Sequence, residues 1–451
     1  MDAGWTQSSV RGKYGGVCEK GTTVLDHRQI LLSLYEAAVG AALPDTCLPP
    51  HLPEPPNGRL IVLAAGKAAG SMAQAAEAHY LDTLGLVPDR LAGLAVARYG
   101  YARPTRVLRM IEAGHPVPDA AGVAATQEAL DLAAAGPDDL VLVLLSGGGS
   151  ALWTAPVAGL PLEGKQALTR SLLASGAPIG DINTVRRHLS RIKGGRLALA
   201  AAPAPVLTLA ISDVAGDDPA AIASGPTVGD PTTLADSIEI LSRYRVSAPD
   251  IAALLKDPAN ETPSPDDPRL SRAGYRLIAT PALSLAAAEA KARSLGFETV
   301  LLGTDLEDEA RDLAGDQAAL ARERADAGGK TILLSGGEAT VTLRGRGRGG
   351  PNQEFALALA IALHGRAGIW AIAGDTDGTD GGRGSPDDPA GAFISPDTLA
   401  RAARIGLDAD AFLEDNDSTG FFERLGDLLK PGPTFTNVND LRAIVVDTTR
   451  P

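Results

Sequence analysis

Ser146, Gly147, Gly148, Gly149 and Ser150 follow the unbroken apolar run LVLVLL and precede a short helical stretch, a place suited to holding an anion. Successive glycines let backbone N–H groups converge, and a helix start adds partial positive charge, so a phosphate or carboxylate is the natural occupant. The competing reading is a tight turn that needs positive φ, though such a turn rarely demands three glycines and two flanking hydroxyls. Lys67 follows the apolar segment RLIVLAAG and opens the next helix. A cation is disfavoured there by the helix dipole, which calls for a compensating anion unless the side chain is simply solvated.

Acidic residues gather behind three apolar segments: Asp213, Asp217 and Asp218 in SDVAGDD, Asp375, Asp377 and Asp380 in GDTDGTDG, and Glu414, Asp415 and Asp417 in LEDND. Phosphoryl transfer needs a divalent cation held by one or two carboxylates and a group that orients the acceptor hydroxyl, and two such clusters could supply both. GDTDGTDGGRG lacks the twelfth-position Glu of a calcium loop. LEDND also reads as a solvated turn. Arg344, Arg346 and Arg348 alternate with glycine in TLRGRGRGGPNQE, which suits either a loop closing over phosphates or a mobile surface hairpin. For His115 a structural hydrogen bond is expected, and for His188, beside Arg186 and Arg187, a place on a helix among cations.

These groups need strands to hold them. From Asp26 the segment DHRQILLSLYEAAVGAAL has helical spacing, a Pro-rich break follows, and apolar strands then alternate with helices as far as PAPVLTLAISDVAGDD. Such alternation predicts a parallel sheet with helices on both faces. LVLVLL in particular reads as a strand buried on both sides. Residues 256–274, crowded with Pro, Asp and Ser, are the expected boundary, and a second α/β unit runs from RLIAT to the terminal strand LRAIVV. LVLLSGGGSAL and ILLSGGEATV echo each other across the halves. The expected division is a loose extension over 1–24, one domain over 25–265 and another over 266–451.

With 451 residues the chain suits two domains, and its formal charge of −14 argues against a nucleic-acid footprint. The two cysteines, Cys18 and Cys47, exclude a CxxC zinc site and argue against a disulfide framework, which fits a reducing, cytoplasmic setting. No apolar run of membrane-spanning length or secretory leader is visible.

The motifs GKAAGSM, GHPVPD, LLSGGGSAL, INTVRRHLSRIKGGRLA, SDVAGDDPAAIASGPTVGD, LLSGGEATVTLRGRGRGGPNQEFALA, AGDTDGTDG and LEDNDSTGFF, in this order, resemble the glycerate 2-kinase family, whose C-terminal part is the MOFRL domain. The resemblance spans about Asp26 to Val446. It implies a Rossmann-like N-terminal domain, a smaller C-terminal α/β domain, and a cleft between them where ATP phosphorylates the 2-hydroxyl of D-glycerate. ATP is the co-substrate and Mg²⁺ or another divalent cation the cofactor, with small-molecule partners only and a homodimer left open. Lys67 matches the Lys of the family's GKA motif and Asp213 the acid of its SDV motif. Where some relatives carry Arg before Asn-Gln-Glu this chain has Pro351, leaving Arg348 or Arg346 to serve.

The resulting expectation is catalysis by Lys67, Asp213 and Arg348. Substrate or nucleotide is expected at Gly66, Ser146, Gly147, Gly148, Gly149, Ser150, Arg346, Asn352, Gln353 and Glu354, and metal at Asp375, Asp377 and Asp380. Residues 344–351 are expected to be poorly ordered without substrate, as a lid. Relatives are also labelled hydroxypyruvate reductase, but no GxGxxG with a following acidic partner accompanies any strand. A non-enzymatic sugar-phosphate-binding regulator is the third reading.

Overall fold

The computed structural model describes residues 26–382, 385 and 387–449. The expected loose extension over 1–24, with Cys18, lies outside them. Two six-stranded sheets organise the chain. The first has the order β3-β2-β1-β4-β5-β6, from Leu60–Ala65 (β1), Leu91–Arg98 (β2), Arg109–Ala113 (β3), Leu140–Leu145 (β4), Val206–Ile211 (β5) and Ala273–Ala279 (β6). All its pairings are parallel. This is the doubly wound, Rossmann-like arrangement, in which strand order reverses between β1 and β4 and a crevice opens at their carboxyl ends.

Burial explains the apolar runs. β1 and the last five residues of β4 are buried throughout, because their alternate side chains pack on opposite faces. Ile61, Leu63, Val141 and Val143 meet the helix Ala120–Ala133 on one face. Val62, Ala64, Leu142 and Leu144 meet the helix Ala69–Ala78 on the other. Alanine lines both helices, so they lie close to the sheet.

The second sheet is mixed, in the order β11-β10-β9-β12-β8-β7. Its strands are Glu298–Gly303 (β7), Lys330–Gly337 (β8), Ile369–Asp375 (β9), Gly391–Ile394 (β10), Leu428–Leu429 (β11) and Asp440–Asp447 (β12). Only β7 and β8 run parallel. The terminal strand β12 lies between β8 and β9, antiparallel to both. The helices Ala310–Ala327 and Pro351–Leu363 cover one face.

The domain division departs from the expected one at both ends. β6 lies beyond the 265/266 boundary yet pairs with β5, so the Pro-rich segment is a surface loop within the first domain. The helix His27–Ala42, started by an Asp26–Gln29 capping box, packs Ile30, Leu34 and Val39 with Leu285, Ile372 and Val445 of the second domain. Among the described residues that face of the second sheet otherwise carries the helix Pro281–Ser294, and the N-terminal helix packs beside it.

Candidate active site

Lys67 sits just past β1, and its backbone N–H donates to the carbonyl of Gly147, 2.7 Å away, just past β4. The two strand-end turns on either side of the switch point are thus tied together. Ser146, fully buried, completes the tie: its Oγ accepts from the Ala68 N–H at 2.9 Å. Gly66, at φ +135°, passes so close to Ser146 that a Cβ would lie 2.2 Å from its Oγ. Gly66 and Ser146 are therefore braces of the turn, and the surfaces left to a ligand are Lys67 and the following glycines.

Gly147 and Gly148 are required by what stands over them. A Cβ on Gly147 would fall 1.6 Å from Asp213 Oδ2, and one on Gly148, whose φ is +80°, would fall 2.8 Å from His115 Nε2. Asp213 follows β5, so β1, β4, β5 and the segment after β3 place Lys67, the glycine turn, Asp213 and His115 around one point. Gly149 is pressed against Ala223, which with Ser224 takes positive φ. Ser150 Oγ bonds Ser224 Oγ at 2.7 Å, and its carbonyl accepts from Lys193 Nζ and Arg186 Nη2. These contacts anchor the turn from behind.

The second domain closes the site. Lys67 Nζ lies 3.0 Å from Asp377 Oδ2, just past β9. Asn437 Nδ2 donates to Asp213 Oδ2 at 2.8 Å and Asn439 Nδ2 to the Asp213 carbonyl at 2.9 Å. Tyr35 of the N-terminal helix donates to the Asp375 carbonyl. Val438 joins the core of the first domain, so the segment before β12 is rooted there. Asn437 and Asn439 carry no catalytic signature in sequence; only proline and glycine before a terminal strand hinted at a structured loop.

The electrostatics follow from this crowding. Burial alone would lower the Lys67 pKa, but Asp377, Asp375 and Asp213 outweigh it and hold the ammonium charged. Burial would raise Asp377; Lys67 and the N–H and hydroxyl of Thr379 reverse that and keep it ionised. Burial, then the negative charges of Asp377 and Asp440, push Asp375 well above the carboxylate range. Asp213 is raised by burial despite Lys67 and the Asn437 bond. His115 falls to about 4, first through burial and then through the cations Lys67 and Arg98. Glu338, after β8, is raised by burial and then by the charges of Asp213 and Asp440.

Other expected site residues have different work. Asp380 caps the helix Pro351–Leu363: its two oxygens accept from the backbone N–H and side-chain amide of both Asn352 and Gln353. Buried and saturated with these donors, it is a helix anchor rather than an open metal ligand. Asn352 also reaches Asp440, Gln353 accepts from Thr419, and Glu354 pairs with Arg311 and Asn416. The three side chains are buried and engaged in these contacts, with Asn352 Oδ1 left without a partner among the described residues. Among the described residues no cluster of three or more His, Cys, Asp or Glu has the arrangement of a metal site.

The Arg-Gly loop is not a free lid. Arg344 and Gly345 donate backbone N–H groups to Asn416 Oδ1, Arg346 to Asp415 Oδ1, and Arg348 to Asp417 Oδ1. Each intervening glycine lies against this partner segment: Cβ atoms on Gly345 and Gly347 would meet Asp415 and Asp417 at 2.3 Å. The alternation is a packing device that turns glycine inward and arginine outward. Arg344 and Arg346 are exposed, and the Arg348 guanidinium, 65% exposed, pairs with Glu423 rather than joining Lys67. LEDND is accordingly the loop's support. Asp218 likewise serves its own turn by accepting from Ala220 N–H. Arg187 pairs with the buried Asp230, and His188 bonds Thr184 and Glu261, so both are structural.

The chain matches two family models: a domain of unknown function, DUF4147, over residues 30–256, and the MOFRL family over residues 331–440. A protein of Agrobacterium vitis with the provisional name hydroxypyruvate reductase is 46% identical, covering 96% of this chain and 97% of its own length. A protein of Pyrococcus horikoshii named glycerate 2-kinase is 39% identical, covering 87% of this chain and 89% of its own length. The crystal structure of a glycerate kinase from Thermotoga maritima superposes with a TM-score of 0.84 at 37% identity, over 93% of this chain and 99% of that one.

Proposed function

The chain belongs to the family of glycerate kinases built from DUF4147 and MOFRL domains, and on that premise we propose that it transfers the γ-phosphoryl group of ATP to the 2-hydroxyl of D-glycerate in the cleft between its domains. The observation that carries this reading is the charged Lys67, held by Asp377 of the other domain directly beside the Gly147–Gly148 turn.

Phosphoryl transfer asks a protein chiefly for positioning and charge stabilisation. The Gly147 and Gly148 amides receive phosphate oxygens at the start of a helix, as converging N–H groups do elsewhere. Lys67 neutralises charge on the transferred group. Asp213, its pKa raised by burial, accepts the proton of the attacking hydroxyl, and Asn437 fixes which carboxylate oxygen is presented. The carboxyl of Asp375, which burial and the charges of Asp377 and Asp440 bias toward its protonated form, would ionise to hold a divalent cation arriving with the nucleotide, with Asp377 as its neighbour. Such an ion, when bound, supplies charge neutralisation for the phosphates.

The test is incubation of the protein with D-glycerate, ATP and Mg²⁺, and separately with hydroxypyruvate and NADH or NADPH. ADP formation with 2-phosphoglycerate as product supports the proposal. Nicotinamide oxidation without ADP formation rejects it in favour of the reductase name carried by the Agrobacterium vitis protein.

A further inference from the structure

Arg98 closes β2, the strand next to β1, and therefore ends at the same carboxyl edge as Lys67. Its guanidinium stacks on the ring of Tyr101, 3.6 Å from the centroid. Its Nε and Nη2 are buried and have no well-aligned hydrogen-bond partner among the described residues, and the buried Tyr101 hydroxyl has only the Arg98 guanidinium beside it. Tyr101 as a whole is only 2% exposed. Buried donors without acceptors are costly, more so when charged, and folded proteins complete them with water, an ion or a ligand.

Their position identifies the ligand. Phe435, from the segment that carries Asn437, packs edge-on against Tyr101 with centroids 5.8 Å apart, walling this pocket from the second domain. Lys67 and Asp377 are near enough to disturb the Tyr101 phenol, and Arg98 and Lys67 both disturb His115. The Nε and Nη2 donors are the side-on pair of the guanidinium, two parallel N–H groups that match the two oxygens of a carboxylate. Lys67 already has Asp377, whereas Arg98 forms no ion pair among the described residues.

We propose that Arg98 and Tyr101 form the seat for the carboxylate of the acceptor, holding the hydroxy acid so that its neighbouring hydroxyl points at Asp213 and the glycine turn. This rests on the kinase reading and extends it by separating two anion subsites: phosphate oxygens at the Gly147 and Gly148 amides and Lys67, the acceptor's carboxylate at Arg98.

The experiment compares the wild-type protein with Arg98→Ala, Arg98→Lys and Tyr101→Phe. Calorimetry measures binding of D-glycerate and of ATP with Mg²⁺, and steady-state kinetics give KM for each. Arg98→Ala is expected to weaken D-glycerate about a hundredfold, with ATP affinity unchanged. Arg98→Lys recovers a minor part because an ammonium lacks the fork. Tyr101→Phe weakens D-glycerate less than Arg98→Ala does. Thermal melting of the ligand-free Arg98→Ala protein is expected at or above wild type, because its donors are unpartnered there; this separates a binding role from a structural one. Weakened ATP with unchanged D-glycerate, or no change in either, overturns the seat. If the wild type makes no ADP from D-glycerate, the kinase reading fails by itself. Calorimetric binding of D-glycerate that Arg98→Ala abolishes would still support the seat, and no binding to the wild type would overturn it.

Discussion

Lys67 Nζ and Asp377 Oδ2 meet at 3.0 Å across the two domains, joining the turn after β1 to the turn after β9. The pair is mostly shielded, with side-chain exposures of 20% and 4%. It resolves the oddity of a cation at a helix start, since the opposing dipole is overcome by three carboxyl groups of which Asp377 contributes most. It also holds the ammonium over the glycine turn before any substrate arrives.

Replacement of Lys67 by Ala is expected to lower turnover by about a hundredfold or more, the loss typical of removing one preorganised electrostatic group. Asp377→Asn releases the ammonium without removing it and is expected to lose less. Measured kcat values in the opposite order would overturn the assignment of charge stabilisation to Lys67.

Gly147→Ala places a methyl where Asp213 Oδ2 already lies, 1.6 Å away, whereas Gly180→Ala meets nothing within 4 Å. The first is expected to lose nearly all activity. The second leaves activity intact and adds about 0.5–1 kcal/mol of stability, as Gly→Ala does inside a helix. Turnover and denaturant midpoints of the two variants check both halves of the expectation.

Asp380→Ala removes the acceptor of two backbone N–H groups and two side-chain amides at a buried helix start. A stability loss of about 2–4 kcal/mol is expected, with the Mg²⁺ concentration for half-maximal activity unchanged in the folded fraction. Asp375→Asn should do the reverse. A Mg²⁺ requirement that shifts with Asp380 and not with Asp375 would restore Asp380 as a metal ligand.

His115 gives a pH signature. Its pKa falls from 6.5 to about 4 on folding, so the unfolded chain binds more protons between these values. The corresponding stability is fully present above 6.5 and is lost as pH drops toward 4, by at most about 3 kcal/mol. His115→Gln should flatten this part of the stability profile, and the wild-type ring signals in NMR should titrate near 4.

Arg348→Ala removes an exposed pair with Glu423, worth no more than about 0.5 kcal/mol. Turnover is expected within about threefold of wild type, because the loop is held by its backbone rather than by its guanidiniums. A hundredfold fall in kcat would show that Arg348 reaches the reacting phosphate after all.

Much of the site was legible because it is local. Lys67, the glycine turn and Asp213 each follow a buried apolar run, and in a parallel sheet the carboxyl ends of such runs lie on one edge. Asp377 could be found the same way, but not told apart from Asp380 three residues later. One carboxylate reaches Lys67 and the other caps a helix, a difference set by how the turn after β9 folds back. The Arg-Gly loop was misread for a related reason. Alternating glycine is compatible with flexibility and with close packing alike, and only the partner segment at 415–418 decides between them.

By itself, then, the sequence determined two α/β units, the strand ends that carry the chemistry, and through its motifs the family. The tertiary structure decided where the domains divide, with β6 in the first sheet and the N-terminal helix on the second. It also decided which polar groups share the cleft: Asn437 is 224 positions from Asp213, and Asp377 is 310 from Lys67. Periodicity reports what each segment buries, whereas a contact across such separations exists only after both sheets have formed and docked.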